Sequence, residues 1–109
     1  MNLYIATPIN ARKGKDLKAK LIEAKHRIEQ LKEILRADKR FKDYEFYSTF
    51  YLKDHLNKSE AENMGDCIKL VLTCDAIMLD HGWLQSKGCN LEYRAAKIYG
   101  KEIFEFDKL

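Results

Sequence analysis

The sequence is short of the residues that break or staple a chain, with one proline, five glycines and three cysteines in 109 positions. So little proline and glycine excludes a collagen-like repeat and a flexible low-complexity linker. Cys67, Cys74 and Cys89 are odd in number and widely spaced, which fits neither a disulfide framework nor paired zinc ligands; a reduced, cytoplasmic protein is expected. His26, His55 and His81 are scattered, so no metal site is read. Apolar runs extend over only a few residues, and Met1-Asn2-Leu3-Tyr4 lacks a basic region followed by an apolar stretch, so no membrane span or secretion signal is expected. Charge of one sign is scarce as well: the net charge is +3, and with 46% hydrophobic residues this excludes a disordered chain. The length suits one domain over residues 1–109, since two halves would each be marginal.

What charge imbalance exists lies in the first half, where residues 1–58 sum to +6 and residues 59–109 to −3. Arg12, Lys13, Lys15, Lys18, Lys20, Lys25 and Arg27 resemble a nucleic-acid footprint, but Asp16, Glu23, Glu29 and Glu33 interleave with them as on a solvated helix face. No groove-reading motif or run of stacking aromatics accompanies them, so no nucleic-acid partner is expected.

Leu3 to Ala6 is a short β-prone run ending at Thr7-Pro8, where proline removes a ladder donor; it predicts a strand feeding a loop from Pro8 to Gly14. Leu17, Leu21, Ala24, Ile28, Leu31 and Leu35 alternate steps of four and three and predict one face of a helix of about five turns. Tyr44 to Ser48 suits an edge strand, and residues 49–58 give no clear signal. Ser59-Glu60-Ala61-Glu62 is a capping box opening a helix with Ala61, Met64, Ile68 and Val71 or Leu72 inward, ending near Thr73. Asp75 to Asp80 is an apolar run bounded by carboxylates, the pattern of a strand covered on both faces. Gly82 to Gly88 follows as a loop, Leu91, Ala95 and Ile98 set the inner face of a last helix, Gly100 ends it, and Glu102 to Phe106 closes as a strand. This alternation predicts an α/β protein, Rossmann- or flavodoxin-like, three-layered, with a small, mostly parallel sheet of about four to five strands.

In such sheets ligands bind beyond the carboxyl ends of the strands, which singles out the loops after the first and third strands. Ser86 and Gly88 stand ahead of a helix start, where a hydroxyl and bare amides suit a phosphate and where a plain helix cap is equally natural. Glu92 falls in what reads as the first turn of that helix; it either complements the helix dipole or, kept ionised by the amides, faces an oxocarbenium-like carbon. His81 at a strand end suits general acid–base work, while Asp75 and Asp80 read as strand ends or as acids. Trp83 suits either a base or its own loop, and Cys89 lacks a partner base for a nucleophilic role.

Leu3-Tyr4-Ile5-Ala6-Thr7-Pro8-Ile9, Cys74-Asp75-Ala76-Ile77, and Gly82-Trp83 through Ser86, Gly88 and Glu92 with Ala95-Ala96 and Gly100-Lys101 resemble the nucleoside 2-deoxyribosyltransferase-like superfamily. The likeness is to its small branch, domain of unknown function 4406, and it covers nearly the whole chain. The resemblance implies cleavage or exchange of the N-glycosidic bond of 2-deoxynucleosides or their 5′-monophosphates, chemistry that needs no metal or organic cofactor. It implies Glu92 as catalytic carboxylate, Ser86 as a phosphate or sugar contact, Tyr4 as a pocket aromatic, and Pro8-Ile9-Asn10 as the phosphate-side loop. With Asp80, Gly82, Trp83 and Gly88 these make the expected substrate contacts. Three positions depart from the pattern. Pro8 and Asn10 replace the serine and arginine of nucleotide-hydrolysing relatives, and Cys67 stands where relatives carry an acid, leaving Asp66 or His81 as candidates. The expected partner is a small nucleoside or nucleotide; the alternative is a non-catalytic nucleotide-sensing module. A homodimer or larger homo-oligomer is also expected, because Tyr47, Phe50, Tyr51 and Leu52 form an aromatic cluster beside an edge strand.

Overall fold

The computed structural model describes residues 1–9, 17–48 and 59–109. Asn10, the other loop residues Arg12 to Gly14, and Phe50, Tyr51 and Leu52 of the aromatic cluster lie outside the described residues. In chain order the elements are β1 (Asn2–Ala6), α1 (Leu17–Arg36), β2 (Glu45–Tyr47), α2 (Glu60–Thr73), β3 (Ala76–Leu79), α3 (Lys87–Ile98) and β4 (Glu102–Glu105). Single 3-10 turns lie at Lys39–Phe41, Trp83–Gln85 and Phe106–Lys108. The strands form one parallel sheet in the order β2-β1-β3-β4, with Leu3 opposite Ala76 and Ala76 opposite Glu102. This is a Rossmann/flavodoxin-like α/β fold.

The layers follow from the alternation of side chains along β1. Leu3 and Ile5 point to one face and pack with Ile28, Leu31 and Leu35 of α1, with Phe41 and with Met78. Tyr4 and Ala6 point to the other and pack with Val71 of α2, Cys89 and Ala96 of α3, and Ile77 and Leu79. Every residue of β3 is buried, as its apolar run predicts for a central strand covered on both faces. The helix over α1 buries Leu21, Ala24, Ile28, Leu31 and Leu35 on the predicted stripe. The capping box at Ser59 forms, with the hydroxyl accepting from Glu62 N at 3.1 Å and the Glu62 carboxylate accepting from Ser59 N at 3.2 Å. Gly100 takes the left-handed conformation (φ 70°) that ends α3, with Gly100 N donating to Lys97 O and Lys101 N to Ala96 O. No helix among the described residues is long and apolar enough to cross a membrane.

Two inward faces differ from the expectation. On α2, Ala61 is exposed, and burial grows toward the carboxyl end until Val71 is fully enclosed. On α3 the difference is larger. Leu91 and Ile98, expected inside, are 49% and 78% exposed, and the buried face is Cys89, Glu92 and Ala96. One residue along a helix turns the face by about 100°, so packing has rotated the helix to place a glutamate where an apolar pattern would place leucine.

Candidate active site

The strand order creates the site. The chain leaves β1 for α1 on one face of the sheet and leaves β3 for α3 on the other, so the carboxyl ends of β1 and β3 part and open a crevice between them. Thr7 and Pro8 border it from β1, and Asp80, His81 and Gly82 border it from β3. Gly82 adopts φ 80°, which turns the chain away from the strand; a Cβ there would lie 3.8 Å from Pro8 Cγ, an ordinary contact, so it is the backbone conformation that asks for glycine.

On the α1 face the crevice opens into a cleft of about 490 Å³ lined by Thr7, Pro8, Lys20, Glu23, Ala24, Arg27, Asp80, His81, Phe106 and Asp107. Asp80 is only 2% exposed. Its carboxylate is held by Arg27 through Nε (3.0 Å) and Nη2 (2.9 Å), and it also accepts from the His81 backbone N–H at 2.7 Å. The Asp80 hydrogen bond holds the Arg27 guanidinium above its ordinary pKa, against the opposing effect of burial. Arg27 Cζ lies 5.2 Å from the Phe106 ring centroid, and His81 Nδ1 is 2.9 Å from Asp107 Oδ2. Thr7 is 8% exposed, and its hydroxyl oxygen is buried with no hydrogen-bond partner among the described residues.

Across the sheet, Glu92 is 6% exposed. The Tyr4 hydroxyl hydrogen-bonds its carboxyl, while Oε2 is buried with no partner among the described residues. Burial pushes its pKa up to about 7, with the Tyr4 bond opposing. This corrects two expectations. With Ser86 as N-cap and Lys87 as the first helical residue, Glu92 lies in the second turn, beyond the amides that the first turn leaves free. Those amides therefore do not keep it ionised, and removal from water favours its neutral form.

Ser86 is the cap of α3, its hydroxyl accepting from Cys89 N at 3.2 Å. It also bonds the Cys89 thiol, yet burial still drives that thiol to about 12, which removes Cys89 as a nucleophile at neutral pH. Gly88 lies inside α3, where a Cβ would approach the terminal methyl of Met64 on α2 to 3.2 Å, a tight contact that a shift of that methyl by a few tenths of an ångström would relieve. Trp83 anchors its own loop: Nε1 donates to Glu105 at 3.2 Å and the indole sits 4.9 Å from the Tyr93 ring. Asn90 secures the same loop by donating to the carbonyls of Trp83, Leu84 and Ser86. Asp66 and Cys67 are half-buried on α2, and Ile9 is half-buried after β1. The expected residues thus divide between the two faces, with Tyr4, Ser86 and Glu92 on the α2–α3 side and Pro8, Asp80 and His81 on the α1 side.

Thr7, Arg27 and Phe106 were not legible as site residues. Arg27 reads as one more cation of a charged helix, and Phe106 as the end of a strand. The one available signal was the Thr7-Pro8 pair, a polar residue placed where the first strand must stop.

Fold and crevice together define a parallel α/β protein with a switch-point cleft on the α1 face and a buried carboxyl group on the opposite face of the sheet. The chain belongs to the family described as Domain of unknown function (DUF4406), which matches residues 1–105. Comparison with curated proteins and with solved structures gives no significant match.

Proposed function

We propose that this protein binds a nucleoside or nucleotide at the carboxyl edge of its sheet and cleaves or exchanges the N-glycosidic bond of a 2-deoxynucleoside or its 5′-monophosphate. The observation that carries this reading is Glu92, enclosed with one oxygen bonded to Tyr4 and the other unpartnered, on a helix that leaves Leu91 and Ile98 in solvent. Fully burying one such aliphatic side chain contributes about 1.5–3 kcal/mol. A helix that forgoes this to enclose an acid departs from the most stable arrangement, as functional positions do.

The chemistry follows from the group. As the C1′–N bond breaks, its electron pair leaves with the base, which takes up a proton, and positive charge develops on the sugar carbon. An ionised Glu92 stabilises that charge or forms a bond to the carbon, after which water or a second base completes hydrolysis or transfer. Only the ionised form serves, so base release should rise with pH through about 7 as Glu92 loses its proton. His81, exposed at the cleft with Asp107, is a candidate proton donor to the leaving base. Incubation with a panel of deoxynucleosides and their 5′-monophosphates, followed by chromatography for free base, tests the reading. Glu92→Gln should cut release by orders of magnitude while binding persists.

A nucleotide-sensing role is the second reading, favoured by the commitment of the Ser86 hydroxyl to the helix cap. Binding without base release, equal in wild type and Glu92→Gln, would establish it over the enzyme.

A further inference from the structure

α3 carries its acid inward, and its outer face is chemically one-sided. Leu84, Leu91 and Ile98 recur every seven residues, close to two helical turns, and so form one line that begins in the 3-10 turn ahead of the helix. They are 49–78% exposed. Lys87 and Arg94 follow the two leucines by three residues and border the same shallow surface, and Tyr99 stands exposed where the helix ends. From His81 to Lys101 the basic residues are Lys87, Arg94, Lys97 and Lys101, and the single acid is Glu92, which is buried. None of these four cations has an ion-pair partner among the described residues, whereas Lys20, Arg27 and Lys32 of α1 are each paired with a carboxylate. Packing uses neither the apolar line nor the charge beside it, since the buried face of α3 is Cys89, Glu92 and Ala96.

The pattern selects its partner. Nucleic acid would meet the cations and leave three aliphatic side chains in water. A second copy related by a two-fold axis on this line would set Lys87 and Arg94 against their own kind, and facing like charges are destabilising. A globular partner takes about 800 Å² from each side, and the neighbouring α2 exposes Ala61, Glu62, Gly65 and Lys69, which widen the apolar surface by little. A lipid surface asks for no such breadth. Aliphatic side chains enter the acyl boundary while lysine and arginine stay with anionic headgroups, and tyrosine favours that boundary. Arg94, Ile98 and Tyr99 lie toward the amino edge of the sheet, where α3 ends beside the start of β4, away from the carboxyl edge at which residues 10–16 and 49–58 lead into α1 and α2.

We propose that the outer face of α3 docks on an anionic lipid surface, with Leu84, Leu91 and Ile98 at the acyl boundary and Lys87 and Arg94 among the headgroups. The α1 layer, on the opposite face of the sheet, then points away from the lipid.

Flotation with vesicles of phosphatidylcholine alone, and of phosphatidylcholine with about 30% phosphatidylserine, tests it. Wild type should float with the anionic vesicles only and be released in part as salt rises. Lys87→Gln with Arg94→Gln should lower the partition coefficient about 25-fold, roughly fivefold for each basic residue. Lys18→Gln with Lys25→Gln, an equal change in net charge at exposed positions of α1, should leave it nearly the same. Leu91→Ser with Ile98→Ser should abolish flotation at a melting temperature near that of wild type, because both side chains are exposed. Wild type that floats with neither vesicle or equally with both, equal losses from the two charge pairs, or unaltered flotation of the serine variant overturns the proposal. So does a wild-type oligomer that the serine pair converts to monomer in light scattering, which assigns the face to a second copy.

Discussion

Replacing Glu92 with glutamine is expected to stabilise the protein, and only above a defined pH. The side chain is enclosed, and its pKa rises from the ordinary 4.5 to about 7 on folding. Below pH 4.5 the group is protonated in both folded and unfolded chains, so its titration affects neither. Between these values the folded chain holds a proton that the unfolded chain has released, and stability falls as pH rises. Above about 7 the loss is complete. At about 1.4 kcal/mol for each pH unit of that gap, it amounts to about 3 kcal/mol. Glutamine keeps the shape and cannot ionise, so Glu92→Gln should match wild type at pH 4 and exceed it by up to about 3 kcal/mol at pH 8. For a chain of this size that corresponds to roughly 13 °C in Tm. Thermal and urea denaturation at pH 4, 6 and 8 measure it. A difference that does not change with pH, or a glutamine variant less stable at pH 8, would refute the claim that the carboxyl is enclosed without a compensating charge. Together with the expected loss of base release, the substitution exchanges activity for stability.

Three further outcomes are expected. Arg27→Met strands the buried Asp80 carboxylate and should cost about 3 kcal/mol in urea denaturation at pH 7, and adding Asp80→Asn should recover most of it because the unpaired charge is gone. In Ellman titration of the folded protein at pH 8, half-exposed Cys67 should react, whereas buried Cys74 and Cys89 should react only after unfolding, since burial raises both thiols. Leu84 and Leu91 adjoin one another and are 64% and 49% exposed, with Ile98 seven residues farther along the same helix face; if this surface closes a homo-oligomer, Leu91→Glu with Ile98→Glu should shift the light-scattering mass to that of a monomer, and a wild-type monomer at tens of micromolar would end that proposal.

The elements whose signal is local were legible in the sequence. The α1 stripe, the Ser59 box, the Gly100 terminator and the apolar run of β3 each follow from spacing or from one residue's conformational preference, and each forms. The inner face of α3 was not legible, because periodicity sends Leu91 and Ile98 inward by default and carries no information that Tyr4, nearly ninety residues away, supplies a hydroxyl to Glu92. The α1-face cleft escaped for a related reason. Arg27, Asp80 and Phe106 meet only once β1 and β3 lie side by side and the chain has turned back past β4. Residue type identified Glu92 as the acid to watch, while its environment, which raises its pKa by burial where a helix end would have lowered it, came from packing alone.

Trp83 gives the molecule a built-in optical gauge. It is the only tryptophan in the chain, so excitation at the red edge of the protein band isolates one indole. That indole sits in the loop between β3 and α3, bonded to Glu105 at the end of β4 and tilted at 44° against Tyr93 of α3. A movement of this loop relative to either neighbour changes the polarity around the ring or its distance to the tyrosine. Emission wavelength, acrylamide quenching and tyrosine-to-tryptophan transfer therefore follow the loop that carries Ser86, without any label.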